Sequence, residues 1–233
     1  MNKKICPFCG SKQLYIVSKT SLKCSLCKKK YSLKKLETDL KCIEYFCNDI
    51  SARECAKFLD FNYKTVQDRY MDFRKLLLLY SEKQYISNHS DFTEYDEYYF
   101  LPKNKRGQVK YLFESIGILG QVYDEMVYTI LLPDQFSHLR KKSLVNNEVN
   151  FAYLKEYSKY LNRYKIVHYE KFDSKIIRFW VFLEEKLLHF KGISRKNFSF
   201  YLKEYEFKFN HSKEEQKKIL WQSWIAIKNK GYL

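Results

Sequence analysis

Between residues 51 and 80 the apolar positions recur every three or four residues in two runs, which predicts two α-helices. Ser51 and Glu54 have the spacing of a capping box, so the first helix is expected to start there. The Asp-Phe-Asn sequence at 60–62 is predicted to turn the chain, with the second helix beginning near Tyr63. The predicted inward-facing residues are Ala52, Cys55, Ala56, Leu59, Val66, Tyr70 and Phe73. This arrangement predicts a helix-turn-helix within residues 37–80, with an ordinary helical hairpin as the alternative.

The hydrophobic pattern changes after residue 93. "EYDEYYF" at 94–100 alternates as a strand does, and "VKYLFESIGIL" and "QVYDEMVYTIL" predict two more strands, joined as a hairpin at Gly120. Further elements are predicted in the order helix, strand, helix, strand and helices: "PDQFSHLRKK", "SLVNN", "EVNFAYLKEYSKYL", "YKIVHY", residues 173–193 and "RKNFSFYLKEYEFKFN". This order predicts an α/β domain over 94–210. The polar segment 81–93 is predicted to be a linker, and 211–233 a C-terminal helix.

Four cysteines near the start of the chain have the spacing of a metal site. Cys6 and Cys9 form one C-x2-C pair, and Cys24 and Cys27 form a second one fourteen residues later. Two such pairs supply the four thiolates of a tetrahedral structural zinc site. With "QLYIV" and "SLKC" as strands between the pairs, residues 1–36 are predicted to be a zinc ribbon. A redox-active C-x2-C pair is the alternative.

The net positive charge of the chain suggests a class of binding partner. The chain carries 43 Lys and Arg against 27 Asp and Glu, a net charge of +16, which favours a polyanion such as nucleic acid. Lysine-rich composition from AT-rich codons is the competing explanation. The predicted phosphate contacts are the three lysines after the second cysteine pair, Lys28, Lys29 and Lys30. The start of the second helix is predicted to enter a major groove, with Asn62, Tyr63, Lys64 and Gln67 as its contact residues. A ribbon that binds protein is the alternative to phosphate contact.

The sequence also predicts the cellular compartment of the protein. No apolar leader-like run lies at its N-terminus, and its longest apolar runs are too short to span a bilayer. We therefore expect a cytoplasmic protein associated with the nucleoid, with no membrane partner. Cys42, Cys47 and Cys55 are predicted to be small buried residues rather than disulfide partners.

Four stretches, within residues 5–210, resemble the ISXO-like group of bacterial insertion-sequence transposases. They are "CPFCGS…CSLCKKKYSL", "SARECAKFLDFNYKTVQDRY", "YDEYYF" and "FWVFLEEKLLHFKGI…FSFYLKEYEFKFN". The resemblance implies an α/β chain in which a zinc ribbon and a helix-turn-helix precede a ribonuclease-H-like domain of the DDE transposase type. Double-stranded DNA is the implied partner, and dimerisation is a candidate role for the ribonuclease-H-like domain.

Enzymes of this group are implied to use three carboxylates that hold two divalent metal ions for cutting and joining DNA. The resemblance places the first carboxylate at Asp96, the second at Asn147 and the third at Ile177, three residues before Trp180. Asparagine and isoleucine lack the charge that Mg²⁺ requires of its ligands. Two of the three catalytic positions are therefore expected to be replaced.

Other acids are candidate substitutes. Glu148 would replace Asn147 after a slip of one residue. Asp173 lies four residues before Ile177, on the same helical face, unless it or Ser174 caps the helix. Glu184 shares that face but lies about two turns, ~10 Å, further along.

The sequence thus predicts a transposase-derived DNA-binding protein without strand-transfer activity, acting as a transcriptional regulator or an organiser of DNA. The enzymatic alternative is an active DDE transposase that uses Asp96, Glu148 and Asp173 with magnesium. A decayed gene product is a third hypothesis, against which the intact cysteine set and hydrophobic periodicity argue.

Overall fold

The computed structural model describes residues 5–88, 93–106, 108–134, 155, 159, 174–188 and 193–230. The chain divides into two compact units. The first unit comprises Met1–Tyr80 and His211–Leu233, and the second comprises Ser81–Asn210. The C-terminal segment, predicted as a separate element, therefore belongs to the same unit as the cysteines and the first helices.

The first unit starts with an antiparallel sheet of order β1-β2-β3, formed by β1 (Leu14–Ser18), β2 (Ser21–Cys24) and β3 (Lys30–Ser32). Its helices are α1 (Leu33–Cys47), α2 (Ala52–Leu59), the first part of α3 (Tyr63–Asn88) and α6 (Lys213–Lys230). The two predicted strands and the helices predicted from 51, 63 and 211 are confirmed. β3 and α1 were not predicted individually.

Local hydrogen bonds fix both ends of α2. The Ser51 hydroxyl accepts from the Glu54 backbone N–H at 3.2 Å, and the Glu54 carboxylate accepts from the Ser51 N–H at 3.1 Å, so the predicted capping box is confirmed. Asp60 ends the helix in the left-handed conformation, with φ 54°. The Phe61 N–H then donates to the Ala56 carbonyl at 2.9 Å, which closes the turn.

The start of α3 is fixed by Asn62, whose Oδ1 accepts from the Lys64 N–H at 2.8 Å. The residues predicted to face inward from α3 are buried: Val66, Tyr70 and Phe73. On α2, Cys55 and Ala56 are buried, whereas Ala52 and Leu59 are only half-buried. Cys42 and Cys47 are also buried, as predicted, and neither is in a disulfide.

A buried carboxylate ties three helices of the first unit together. Asp39 on α1 is fully buried and accepts from the Trp224 indole N–H of α6 at 3.1 Å. Arg69 Nη2 of α3 lies 3.2 Å from its Oδ1, and Lys228 of α6 forms a second ion pair with it. Packing of Phe73 edge-on against Trp224, with centroids 5.0 Å apart, completes this junction.

The second unit contains an antiparallel sheet of order β4-β5-β6, formed by β4 (Glu94–Phe100), β5 (Ile116–Tyr123) and β6 (Met126–Leu131). Two helices pack on it, α4 (Lys175–Leu188) and α5 (Phe198–Asn210). Short 3-10 helices lie at Lys103–Lys105, Val109–Glu114 and Arg195–Asn197. The buried core between the sheet and the helices includes Tyr98, Ile118, Phe179, Trp180 and Leu183.

Three predictions for residues 81–131 were wrong. The segment from residue 81, predicted as a linker, is helical to Asn88, because the Tyr85 ring stacks on Tyr128 of the sheet with centroids 3.9 Å apart. Val109–Glu114 is a 3-10 helix rather than the beginning of a strand. The hairpin turns at Asp124 and Glu125, with φ 43° and 60°, and Gly120 lies inside β5.

Gly120 is required by packing rather than by a turn. A Cβ at this position would lie 2.5 Å from Ile176 Cδ1 and 2.6 Å from Trp180 Cζ2. Both side chains are buried, so Gly120 is what allows α4 to approach the middle of the sheet closely.

We expect Gly120→Ala to lower the free energy of unfolding of the second unit by about 2 kcal/mol, because the added methyl overpacks a filled core. Hydrogen exchange of the β5 amides measures this loss. Gly117→Ala is the matched control, since its Cβ would meet its nearest atoms at 3.1–3.2 Å and a smaller loss is expected. Equal losses in the two variants would contradict the packing argument.

Lys155 and Lys159, within the predicted helix "EVNFAYLKEYSKYL", are helical. The other residues between 135 and 173, including the two predicted strands there, lie outside the described residues. Among the helices that the structure describes, none combines the length and the apolar character needed to cross a bilayer.

Candidate functional site

The four cysteines predicted to bind zinc come together in the first unit. Their sulfur atoms all lie within 4.8 Å of one another, with Cys6 and Cys27 3.7 Å apart and Cys9 and Cys24 3.5 Å apart. In a tetrahedral zinc site with Zn–S bonds of about 2.3 Å, the sulfurs are about 3.8 Å apart. The cluster therefore has the ligand set and the spacing to hold structural zinc.

The backbone around each cysteine pair explains this convergence. After the first pair, Gly10 adopts φ 76° and its N–H donates to the Cys6 carbonyl at 3.0 Å. After the second pair, Lys28 adopts φ 60°, and the Cys24 N–H donates to the Lys29 carbonyl at 3.0 Å. Both pairs thus lie in tight turns that direct two sulfurs to one point.

Backbone N–H groups also favour the thiolate of Cys24, the form that binds metal. Hydrogen bonding from the Cys27 backbone lowers the pKa of Cys24 to about 6, which favours its thiolate form. Burial instead raises the pKa of Cys6 to about 12 in the metal-free protein. Binding of zinc to all four thiolates would therefore release protons.

The three lysines after the second pair do not share one environment. Lys28 and Lys30 are exposed, as a phosphate contact requires. Lys29 is partly buried, and its ammonium donates to the carbonyls of Lys228 and Asn229 at the end of α6. Lys29 therefore interacts with the C-terminal end of a helix, where a positive charge is favourable.

Positive charge is concentrated in the first unit. Its segments, residues 1–80 and 211–233, carry 22 Lys and Arg against 10 Asp and Glu, which accounts for +12 of the net charge of +16. The second unit carries the remaining +4 over residues 81–210. Any attraction of the chain to a polyanion is therefore expected to act chiefly through the first unit.

The predicted base-contacting residues lie together at the start of α3. Asn62, Tyr63, Lys64 and Gln67 are all exposed. The Lys64 ammonium is 2.8 Å from the Asp68 carboxylate, one turn along the helix.

Asp96, the predicted first catalytic carboxylate, lies on β4 opposite Gly120 and is half-buried. Its Oδ2 accepts from the indole N–H of Trp180 at 3.1 Å. The Trp180 ring stacks on Tyr98, two residues further along the same face of β4. Asp96 thus anchors the tryptophan of α4 to the sheet.

Ile177, the predicted third position, is partly buried against the core of the second unit. Its backbone N–H donates to the Ser174 hydroxyl at 3.4 Å, which favours Ser174 as the cap of α4. Glu184 accepts from the Tyr98 hydroxyl at 3.2 Å and forms an ion pair with Arg106. The Glu184 carboxylate therefore already has two donors within the protein.

The role of Glu94 was not predicted from the sequence. Its carboxylate accepts from the Ile176 N–H at 3.0 Å and the Lys175 N–H at 3.4 Å, at the start of α4. Glu94, Asp96 and Tyr98 alternate along one face of β4, and all three side chains contact α4. The period-two spacing of polar residues on a half-buried strand was the available signal.

Asn147, Glu148 and Asp173 lie outside the described residues. Within the part of the chain that the structure describes, the four cysteines are the one group of three or more metal-ligand residues with converging ligand atoms. Asp96 belongs to no such group among these residues.

Comparison with known proteins gives no match, whether with family models, with curated sequences or with solved structures.

Proposed function

We propose that the chain is a transposase-derived protein that binds double-stranded DNA through its first unit and has no strand-transfer activity. Structural zinc at the four cysteines would hold the DNA-binding module together. Regulation of transcription or organisation of DNA is the role that such a protein would have.

One observation carries the DNA-binding proposal: an exposed helix start, α3, follows a three-residue turn within a unit of net charge +12. A second helix presented by a short turn is the arrangement with which helix-turn-helix proteins enter the major groove. The exposed Lys28 and Lys30 supply further positive charge for phosphate contacts.

The absence of catalysis is supported by the second unit. Asp96 is engaged by the Trp180 indole, and the position that the resemblance assigns to the third carboxylate is Ile177, which packs on the core. A three-stranded antiparallel sheet covered by helices is compatible with the start of a ribonuclease-H-like domain. That domain would serve as a scaffold or as a dimerisation surface.

We expect the full zinc-loaded chain to bind random duplex DNA, with an affinity that falls about 100-fold between roughly 50 and 200 mM salt. This is the salt dependence expected when a protein neutralises about four phosphates. Fluorescence anisotropy with a labelled duplex measures this. Lys30→Glu should weaken binding and reduce the salt slope by about 1. Lys196→Glu is the matched control, because it makes the same charge change at an exposed site of the second unit.

Salt-independent binding, or none to any duplex, would contradict the DNA-binding proposal. If Lys30→Glu and Lys196→Glu weakened DNA binding equally, the first unit would not be the main DNA-contacting surface. The absence of strand transfer is tested separately, with supercoiled DNA and Mg²⁺ or Mn²⁺. Metal-dependent cleavage or joining that Asp96→Ala abolishes would overturn that part of the proposal in favour of an active transposase.

A further inference from the structure

We infer that the aromatic tip of the first unit, formed by Phe58, Phe61 and Tyr63, contacts thymine methyl groups in the major groove and makes thymine-containing duplexes the preferred partner. This inference rests on the proposed DNA binding and assigns a base preference to the same surface. It is carried by the exposure of these rings and by the chemistry of the groove.

The three rings are all exposed to solvent. Phe58 at the end of α2 is 63% exposed, Phe61 in the turn 40%, and Tyr63 at the first position of α3 45%. They lie within six residues of one another on both sides of the turn. Apolar surface gathered in this way on a charged unit is typical of a contact surface.

The polar groups at the same place are already engaged. Asn62 Oδ1 accepts from the Lys64 N–H, and the Lys64 ammonium pairs with Asp68. The Ser51 and Glu54 side chains bond to each other and to the helix start of α2. Part of the hydrogen-bonding capacity near the turn is thus used internally. The Phe58 ring packs against Tyr45, with centroids 5.6 Å apart, yet it stays 63% exposed, so all three rings still offer apolar contact surface.

The major groove determines what such rings can recognise. Its floor displays hydrogen-bond donors and acceptors from every base pair, and its apolar group is the C5 methyl of thymine. Aromatic side chains that enter the groove gain most from burying this methyl.

Charge favours DNA over a second copy of the chain as the occupant. Self-association through this surface would bring together two units that each carry +12, whereas a duplex supplies a phosphate charge about every 1.7 Å of its length. The local charges near the turn, Arg53, Lys57 and Lys64 against Glu54, Asp60 and Asp68, cancel. Electrostatic attraction to DNA therefore comes from the rest of the first unit, and the aromatic tip contributes base preference.

The test compares thymine with deoxyuridine, which lacks only the methyl group. The full zinc-loaded chain selects duplexes from a random pool about three helical turns long. The enriched pool is then copied once with thymine and once with deoxyuridine, and both affinities are measured. We expect the thymine form to bind about fourfold more tightly for each methyl buried, hence about fifteenfold for two.

Phe61→Ala and Tyr63→Ala should each reduce this ratio by about fourfold while leaving the helical circular dichroism unchanged. Leu79→Ala is the matched control, since Leu79 is an exposed apolar residue of α3 about 24 Å further along the helix. It should leave the ratio unaltered.

Equal affinity for the two forms overturns the thymine inference and leaves the proposed DNA binding intact. A preference that survives both aromatic substitutions in folded protein also overturns it, because the methyl contact then lies elsewhere. Absence of binding to either form defeats the proposed function together with this inference. Dimerisation that the aromatic substitutions abolish, without methyl discrimination, assigns the tip to a second copy instead.

Discussion

Removal of zinc is expected to unfold the cysteine module, residues 5–32, while the second unit remains folded. The module has few core residues of its own, with Leu22 and Tyr31 as its main buried side chains beyond the cysteines. Structural zinc contributes roughly 10–16 kcal/mol to such modules at neutral pH, which equals or exceeds the stability of a typical small domain. Metal analysis and limited proteolysis after chelation, with fragments identified by mass spectrometry, measure the effect.

Cys24→Ser should reproduce the effect of chelation, because it removes one of the four ligands. Cys47→Ala is the matched control: Cys47 is also buried, but it lies outside the cluster, so zinc content should stay at one ion per cluster. A zinc-free chain whose module resists protease as well as the zinc-loaded chain does would contradict this prediction.

Glu206→Gln is expected to lower the free energy of unfolding of the second unit by about 3 kcal/mol. Glu206 and Lys203 form a 2.9 Å ion pair within α5, with side chains only 3% and 6% exposed. The Glu206 carboxylate also accepts from the Thr129 N–H at 2.7 Å and from the Ser81 hydroxyl. Without this carboxylate, the buried Lys203 ammonium keeps only the partly exposed Glu82, 4.0 Å away, as an anionic partner. Hydrogen exchange of the β5 and β6 amides reports the loss.

Glu125→Gln supplies the control for this variant. Glu125 pairs with Lys175 at 3.0 Å, but its side chain is 90% exposed, so a loss below about 1 kcal/mol is expected. Adding Lys203→Met to Glu206→Gln should recover most of the stability, since neither charge of this pair then remains. Similar losses for Glu206→Gln and Glu125→Gln would mean that the buried pair contributes little.

Features fixed by neighbours in sequence were predictable. The capping box of Ser51 and Glu54, the turn at Asp60 and the two cysteine pairs each depend on residues a few positions apart, and all are confirmed. The convergence of the two cysteine pairs could also be predicted, because a metal site imposes a long-range restraint that the C-x2-C spacing records.

Features that depend on distant partners were not predictable from the pattern. Gly120 suggested a turn, yet glycine is needed there because Ile176 and Trp180, more than fifty residues away, occupy the space that a side chain would fill. The polar segment after Tyr80 suggested a linker, but Tyr85 has a stacking partner in Tyr128. Asp96 was expected to be the first metal ligand, and its place on β4 was predicted correctly. Its hydrogen bond to Trp180 was not predicted, since it depends on the packing of α4.

The interrupted first unit has a consequence for synthesis of the protein. Asp39 needs Trp224 and Lys228 as partners, and these residues are translated only after the whole second unit, residues 81–210. At typical translation rates of about 5–20 residues per second, that delay is on the order of ten seconds. During this interval the buried face of α1 lacks α6, so the first unit cannot complete its folding until the second unit has been translated.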